Sequence, residues 1–147
     1  MDANTAIKDI MTDTVITVQP NDTMDHVQEV FERKTIHHLP VVSPKGKVVG
    51  MISKSDYLKL LHGFTLFKAQ KSAEYNKAIL RSLLVEEVMT KQVATLKADD
   101  SLLMAAGYFR ENLFHAIPIV DDDHSLIGIL STYDLISFAF RDAKLNV

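Results

Sequence analysis

The sequence predicts an α/β (α+β) fold: two pseudo-symmetric βαββα repeats packed as one module, with a connecting helix inserted between them. Three observations carry that reading. The chain matches itself at an offset of 78 residues, each copy alternates short apolar runs with amphipathic ones, and the composition is globular. Of 147 residues, 47% are apolar and 24% charged, with five Gly and four Pro. That balance excludes a mostly disordered, collagen-like or low-complexity chain.

The repeat needs no gap. Met11-Thr12 falls on Met89-Thr90, Val15 and Thr17 on Val93 and Thr95, Asp22 on Asp100, Phe31 on Phe109 and His37 on His115. Pro40 and Val42 fall on Pro118 and Val120; Gly50, Ser53 and Asp56 fall on Gly128, Ser131 and Asp134. Unrelated stretches of this length and ordinary composition would share about three residues. The organisation that follows is a first repeat at 9–61, a connecting helix at 62–86 and a second repeat at 87–140.

Within each repeat the elements follow in order. A short β-prone run comes first, Val15–Val18 or Val93–Leu96. An acidic start then opens a helix near Asp22 or Asp100, with Met24, Val27 and Phe31, or Leu102, Ala105 and Phe109, on one face. A strand follows, Leu39–Val42 or Ile117–Val120, then a four-residue polar loop, Ser43–Gly46 or Asp121–His124. Such short loops join antiparallel neighbours. An apolar strand, Lys47–Ile52 or Ser125–Leu130, leads to a second helix from Ser53 or Ser131. The apolar strands expect cover on both faces, and about 50 residues alone bury too little surface to be stable. The connector, Phe64–Val85, lacks Gly and Pro and is rich in helix formers. Its Lys68, Lys71, Lys77 and Arg81 against Glu74 read first as a solvated helix face.

Charge and composition narrow the function classes. The net charge is −3, which gives no footprint for a nucleic-acid backbone. There is no Cys, which excludes a disulfide framework, a thiolate zinc site and a cysteine nucleophile. No apolar run approaches the roughly 20 residues of a membrane span, and the first residues lack a signal-peptide pattern. A cytoplasmic protein with no membrane span is the expectation. The histidines form no zinc pair, Asp121–Asp123 reads as a surface loop, and no nucleophile–base set or phosphate-cradling loop is present. Neither a metal, a catalytic residue nor a catalytic cofactor is expected.

The most informative motif is Gly50-Met-Ile-Ser-Lys-Ser-Asp56, repeated as Gly128-Ile-Leu-Ser-Thr-Tyr-Asp134. It lies where an apolar strand hands over to a helix. Its structural reading is helix capping, with Ser53 or Ser131 as the cap and the Asp favoured in the first turn; Asp is judged too short to complete a reciprocal capping box. Its functional reading uses the same place: free N–H groups for a phosphate, a short carboxylate for a ribose diol, and a Gly that lets another backbone approach.

The ordered set Met-Thr, Val-x-Thr-Val, His-x-x-Pro-Val-Val and Gly-h-h-Ser-x-x-Asp (h is apolar), present twice, resembles a tandem pair of CBS domains. That family is named after cystathionine β-synthase, and such a pair is called a Bateman module. The resemblance implies a regulatory, non-enzymatic module that binds an adenosine-containing ligand: AMP, ADP, ATP, S-adenosylmethionine or a cyclic dinucleotide, in clefts between the repeats. Carried onto this chain, one site takes Thr12, Val15 and Ile36 with His115, Ser131, Tyr133 and Asp134. The other takes Thr90, Val93 and Phe114 with His37, Ser53, Ser55 and Asp56. Where many members of the family carry an Arg for phosphates, this chain has His38 and Ala116. The Asp56 repeat, with His37, His38, Lys54 and the small Ser55, is expected to hold a phosphorylated ligand better than the Asp134 repeat with its Thr132 and Tyr133. The alternative is a structural dimerisation module with ligand-free pockets. Partly apolar helix faces at Leu58/Leu61 and Ile136/Ala139 predict a homodimer; the regulated partner protein is not readable from the sequence.

Overall fold

Two antiparallel strand pairs, one per repeat, organise the computed structural model, which describes residues 2–65, 72–111 and 114–141. The chain forms two compact units whose borders do not coincide with the sequence repeats. A central unit runs from Ile16 to Val93, and a terminal unit combines Met1–Val15 with Ala94–Val147.

In the central unit, β1 (His38–Val42) pairs with β2 (Val48–Ser53), Leu39 opposite Ile52 and Val41 opposite Gly50. The loop between them turns at Gly46, whose φ of +79° favours a residue without Cβ. The expected strand at Val15–Val18 is reduced to a parallel bridge of Val18 to Val41. Helix α1 (Met24–Arg33) buries Met24, Val27 and Phe31, the predicted face. Helix α2 (Lys54–Thr65) follows β2 directly. Over the connector, α2 runs on to Thr65, α3 covers Ser72–Ser82, and extended backbone at Leu84 opens the four-residue α4 (Val85–Val88). Helix α3 packs on α1 and α2 through the fully buried Leu80. Its Glu74, Lys77 and Arg81 are exposed, as a solvated face requires; Lys68 and Lys71 lie outside the described residues. The core joins Val18, Met24, Val27, Phe31, Leu39, Val41, Ile52, Tyr57, Leu80 and Val85.

The terminal unit repeats this plan. A two-residue β3 (Leu96–Lys97) runs parallel to β4 (Ala116–Val120), which pairs antiparallel with β5 (Leu126–Ser131). Helix α5 (Leu102–Arg110) is capped by the Ser101 side chain, and α6 (Thr132–Ala139) follows β5. The acidic loop Asp121–Asp123 orders itself: Asp121 Oδ1 accepts from the Asp123 and Ser125 amides at 3.0 and 2.9 Å. His124 takes the positive φ that Gly46 has in the other unit. The core is Ile7, Leu96, Leu102, Ala105, Ile117, Ile119 and Leu130. Ile7 comes from a 3-10 turn, Ile7–Asp9, whose counterpart 78 residues on is the start of α4; Ile7 and Val85 are both fully buried.

Tyr57 carries a testable pH dependence. Its ring is buried against Phe31, and its hydroxyl accepts from Gln28 Nε2 at 2.8 Å. Burial pushes the phenol above its ordinary range, against the lowering effect of the Gln28 bond. An acid whose folded pKa is raised favours the native state while neutral. Its contribution is therefore intact below the unfolded value near 10 and is lost as the pH climbs from there toward the folded value. Urea midpoints of wild type and Tyr57→Phe, measured from pH 8 to 11, are expected to converge as the pH rises. A constant difference across that range would show that the hydroxyl does not titrate with unfolding.

Candidate functional site

Each candidate site starts from the strand-to-helix junction. At the end of β2 the His37 carbonyl accepts from the Lys54 amide at 2.8 Å, and the Asp56 amide donates to Ser53 Oγ at 3.0 Å. At the end of β5 the His115 carbonyl accepts from Thr132 at 3.0 Å, and the Asp134 amide donates to Ser131 Oγ at 3.2 Å. Two amides of each first helical turn are thus already bonded, which leaves less of the helix start for an anion.

The capping expectation is corrected at Asp134. Its Oδ2 accepts from the Ser131 amide at 2.7 Å and from Ser131 Oγ at 2.6 Å, completing a reciprocal capping box. The extended backbone of Ser131, with ψ of 163°, brings its own amide within reach of the short side chain. Among the described residues the reciprocal bond occurs at Asp134, while Asp56 shows the forward bond alone. A carboxylate offers about four acceptor positions, so Asp134 keeps capacity beyond the cap.

The two motif glycines admit a backbone, and that backbone comes from the other sequence repeat. Met51 and Thr90 exchange hydrogen bonds of 3.0 and 2.9 Å beside Gly50; Ile129 and Thr12 exchange two of 2.9 Å beside Gly128. A Cβ on Gly50 would lie 3.0 Å from the Thr90 carbonyl oxygen, and one on Gly128 3.1 Å from that of Thr12. The N-terminal Met-Thr segments are therefore exchanged between repeats. Thr12 is brought next to the strand that ends in Ser131-x-x-Asp134, and Thr90 next to the strand that ends in Ser53-x-x-Asp56.

The remaining predicted residues divide accordingly. Val15 is the last residue of the terminal unit's first segment and Val93 the last residue of the central unit. Ile36 packs on the core of the central unit and Phe114 on that of the terminal unit, where its ring meets Tyr108 edge-on at 6.3 Å. His37 is exposed and its neighbour His38 half-buried, the opposite orientations expected of successive residues entering a strand. Ser55 is exposed, and Tyr133 is 76% exposed. Beside the central motif an open cleft of about 600 Å³ is lined by His37, Lys54, Ser55, Leu58, Lys59 and His62. From the sequence, Leu58 is expected only as part of an apolar helix face, and Lys59 and His62 are not named at all. The signal for them is the helical spacing 55, 58, 59, 62, which places them on one face with Ser55. Among the described residues no cluster could hold a metal ion, and no helix is long and apolar enough to cross a membrane.

The CBS domain model matches residues 7–63 and 85–141, so the chain belongs to the CBS-domain family and carries two copies. It is similar to protein MJ1225 of Methanocaldococcus jannaschii, 30% identical over 138 residues that make up 94% of this chain and 48% of that protein. The chain thus spans about half of that relative. It spans 24% of a homoserine O-acetyltransferase from Methanohalobium evestigatum to which it is 29% identical, covering 90% of this chain. Among solved structures it resembles CBSX2, a CBS-pair protein of Arabidopsis thaliana, in complex with AMP: TM-score 0.75, 26% identity, 95% of this chain and 98% of that one. It also resembles the CBS domain pair of MJ0100 in complex with 5′-methylthioadenosine and S-adenosyl-L-methionine: TM-score 0.73, 29% identity, with the same coverages of 95% and 98%.

Proposed function

We propose that this chain is a regulatory sensor, not an enzyme, that binds an adenosine-containing ligand and passes its state to a partner protein. One observation carries the reading: in each unit a Thr from one repeat pairs with the strand that ends in the Ser-x-x-Asp of the other. The central group is Thr90, Val93, His37, Ser53, Ser55 and Asp56; the terminal group is Thr12, Val15, His115, Ser131, Tyr133 and Asp134. A carboxylate in such a group accepts from a ribose diol, and the Thr and Ser hydroxyls donate or accept beside it. The likeness to CBS pairs solved with AMP and with S-adenosylmethionine supports this ligand class.

A melting-temperature screen with AMP, ADP, ATP, S-adenosylmethionine and a cyclic dinucleotide tests the reading. A ligand at 100 times its Kd adds about 2.7 kcal/mol, so at least one of the five is expected to raise the Tm by several degrees. No shift with any of them at millimolar concentration would overturn it in favour of a structural module.

The protein is further proposed to be a homodimer. Tyr133, Ile136 and Phe140 on and just beyond α6 are 76%, 60% and 58% exposed, and Leu58 on α2 is 52% exposed. Their exposed apolar faces support a self-association surface. Leu61, expected to share that role, packs instead on the core of its unit. Light scattering at tens of micromolar protein is expected to give about twice the mass of one chain; a monomer mass there would refute the proposal.

A further inference from the structure

The two units follow one plan, yet their outer helix faces differ. In the central unit α3 packs on α1 and α2 and sinks the fully buried Leu80 into their core. Just beyond α3, the Leu83 carbonyl accepts the Met24 amide at 2.8 Å. The terminal unit keeps the equivalent bond, from the Leu102 amide to the Thr5 carbonyl at 2.9 Å, but the residues that lead into it form a turn, with the Thr5 amide bonded to the Asp2 carbonyl at 3.1 Å. Among the described residues, no helix lies on α5 and α6 as α3 lies on α1 and α2. Phe109 and Leu135 are accordingly half-buried, where their counterparts Phe31 and Tyr57 are buried. The side chains that point outward differ as well. Of nine large apolar side chains exposed among the described residues, six are Leu103, Met104 and Tyr108 on α5 and Tyr133, Ile136 and Phe140 on or just after α6. Four of the six have polar counterparts in the central unit: Asp25, His26, Ser55 and His62.

We infer that two copies of the chain pair head to head through their terminal units alone, the α5 and α6 face of one copy on the same face of the other, with α1 and α2 left outside the interface. This rests on the homodimer reading above and adds which face closes the pair. The extent of the patch fits a second copy: six large side chains, more than half exposed on average, offer apolar surface on the order of 600 Å². That is the upper end of what an ordinary monomer shows, and most of the roughly 800 Å² that each partner gives to a standard interface. Its charge fits as well. A twofold interface lays each patch on its own copy, so any charge in it meets its like. Helices α5 and α6 hold one charged residue each, Arg110 at the end of α5 and Asp134, whose carboxylate is engaged in the cap of α6. The α1 and α2 faces do not fit this role. A head-to-tail pair would lay the apolar patch on Asp25, Glu29 and Lys59 and strip water from their charges without supplying partners, which is costly. Leu58 is thus a single apolar side chain on a charged face, and it stays in water.

The chain has no cysteine, so single introduced thiols report the arrangement without background. Met104→Cys on α5 and Ser137→Cys on α6 are compared with His26→Cys and Lys59→Cys, their counterparts 78 residues earlier; all four positions are exposed. With a flexible bis-maleimide linker on the full chain at tens of micromolar, each terminal variant is expected to give a covalent dimer on its own. Each central variant is expected to remain a single chain, and a mixture of Ser137→Cys with Lys59→Cys to give no cross-linked pair between the two kinds. A mixed pair, with neither variant linking alone, would establish a head-to-tail dimer and overturn the inference while the homodimer reading stands. Linking by His26→Cys or Lys59→Cys alone, or a dimer mass with no linking by either terminal variant, would overturn it in the same way. A monomer mass for the unmodified chain would overturn both. Light scattering on charge-bearing variants gives a second readout. Leu103→Glu and Ile136→Glu are expected to reduce the mass to that of one chain while keeping the circular dichroism of the wild type, and Leu58→Glu is expected to keep the dimer mass. The reverse ranking would place the interface on α2 and overturn the inference. Should either terminal glutamate variant fail to fold, the thiol variants decide the matter by themselves.

Discussion

Gly128→Val is expected to destabilise the protein by about 2–4 kcal/mol, and Gly50→Val by a similar amount. At both positions the missing side chain makes room for a neighbouring backbone. A Cβ on Gly128 would meet Met11 Sδ at 2.5 Å and the Thr12 carbonyl oxygen at 3.1 Å. The methionine can swing aside, but the carbonyl cannot, because it accepts the Ile129 amide at 2.9 Å. Forcing methyl groups into that gap costs about 1–3 kcal/mol in a well-packed setting. Loosening the two Thr12–Ile129 hydrogen bonds adds about 1 kcal/mol for each one lost. Gly107→Ala is the control: its Cβ would meet nothing within 4 Å, and in a helix interior Ala is favoured over Gly by about 0.8–1 kcal/mol. Urea unfolding is the measurement. A Gly128→Val midpoint equal to wild type would mean that the Met11-Thr12 segment does not depend on close approach to β5. The same variant is expected to disturb the terminal ligand group, because Thr12 would leave its place beside the strand that ends in Ser131.

The paired strands, the amphipathic faces of α1 and α5 and the strand-to-helix motif were all legible in the sequence. They are local patterns written twice, and each copy checks the other. The exchange of the Met-Thr segments was legible through the family resemblance alone, which grouped Thr12 with Ser131 and Asp134 and Thr90 with Ser53 and Asp56. Met11 and Met89 are identical, so the sequence alone cannot say which glycine each approaches; that choice is made by packing, with Ile7 buried among Leu96, Leu102 and Ile117, and Val85 among Met24 and Leu80. The leading strands were over-read for a related reason. Val15, Thr17 and Val18 have β propensity, but in the central unit a partner reaches Val18 alone, and propensity yields to what a neighbour offers. Lys59 and His62 lie outside the pattern that the repeats share, because Ser137 and Phe140 at the equivalent positions are unlike them. Side-chain length does not decide the reach of Asp134; the extended conformation of Ser131 does.

Asp56→Ala and Asp134→Ala are expected to fail in different ways, the first in ligand binding and the second in stability. The reason is the unequal use of two carboxylates at identical places in the repeats. Asp134 Oδ2 is held by the Ser131 amide and hydroxyl, so its removal deletes both bonds from the start of α6; losing a helix cap costs about 1 kcal/mol. Asp56 accepts no such bond among the described residues, and its role in α2 is limited to a favourable charge in the first turn, worth a few tenths of a kcal/mol at a partly exposed site. Its carboxylate is accordingly the less committed of the two, and under the proposed function it is expected to be the stronger acceptor for a ribose. Hydrogen bonds to a charged acceptor contribute about 1.5–3 kcal/mol, which corresponds to a loss of roughly ten- to a hundredfold in affinity when Asp56 is truncated. Calorimetry with the ligand selected by the melting screen is expected to lose its tighter phase in Asp56→Ala and to keep it in Asp134→Ala. Urea unfolding is expected to rank the two the other way, with Asp134→Ala the less stable. Asp134→Asn provides the internal check: it keeps an acceptor oxygen for the Ser131 amide and is expected to recover part of the lost stability without changing the tighter phase. Equal affinity losses from both alanine variants, or a tighter phase that disappears only with Asp134→Ala, would show that the two carboxylates serve the ligand alike and that the capping difference has no bearing on binding.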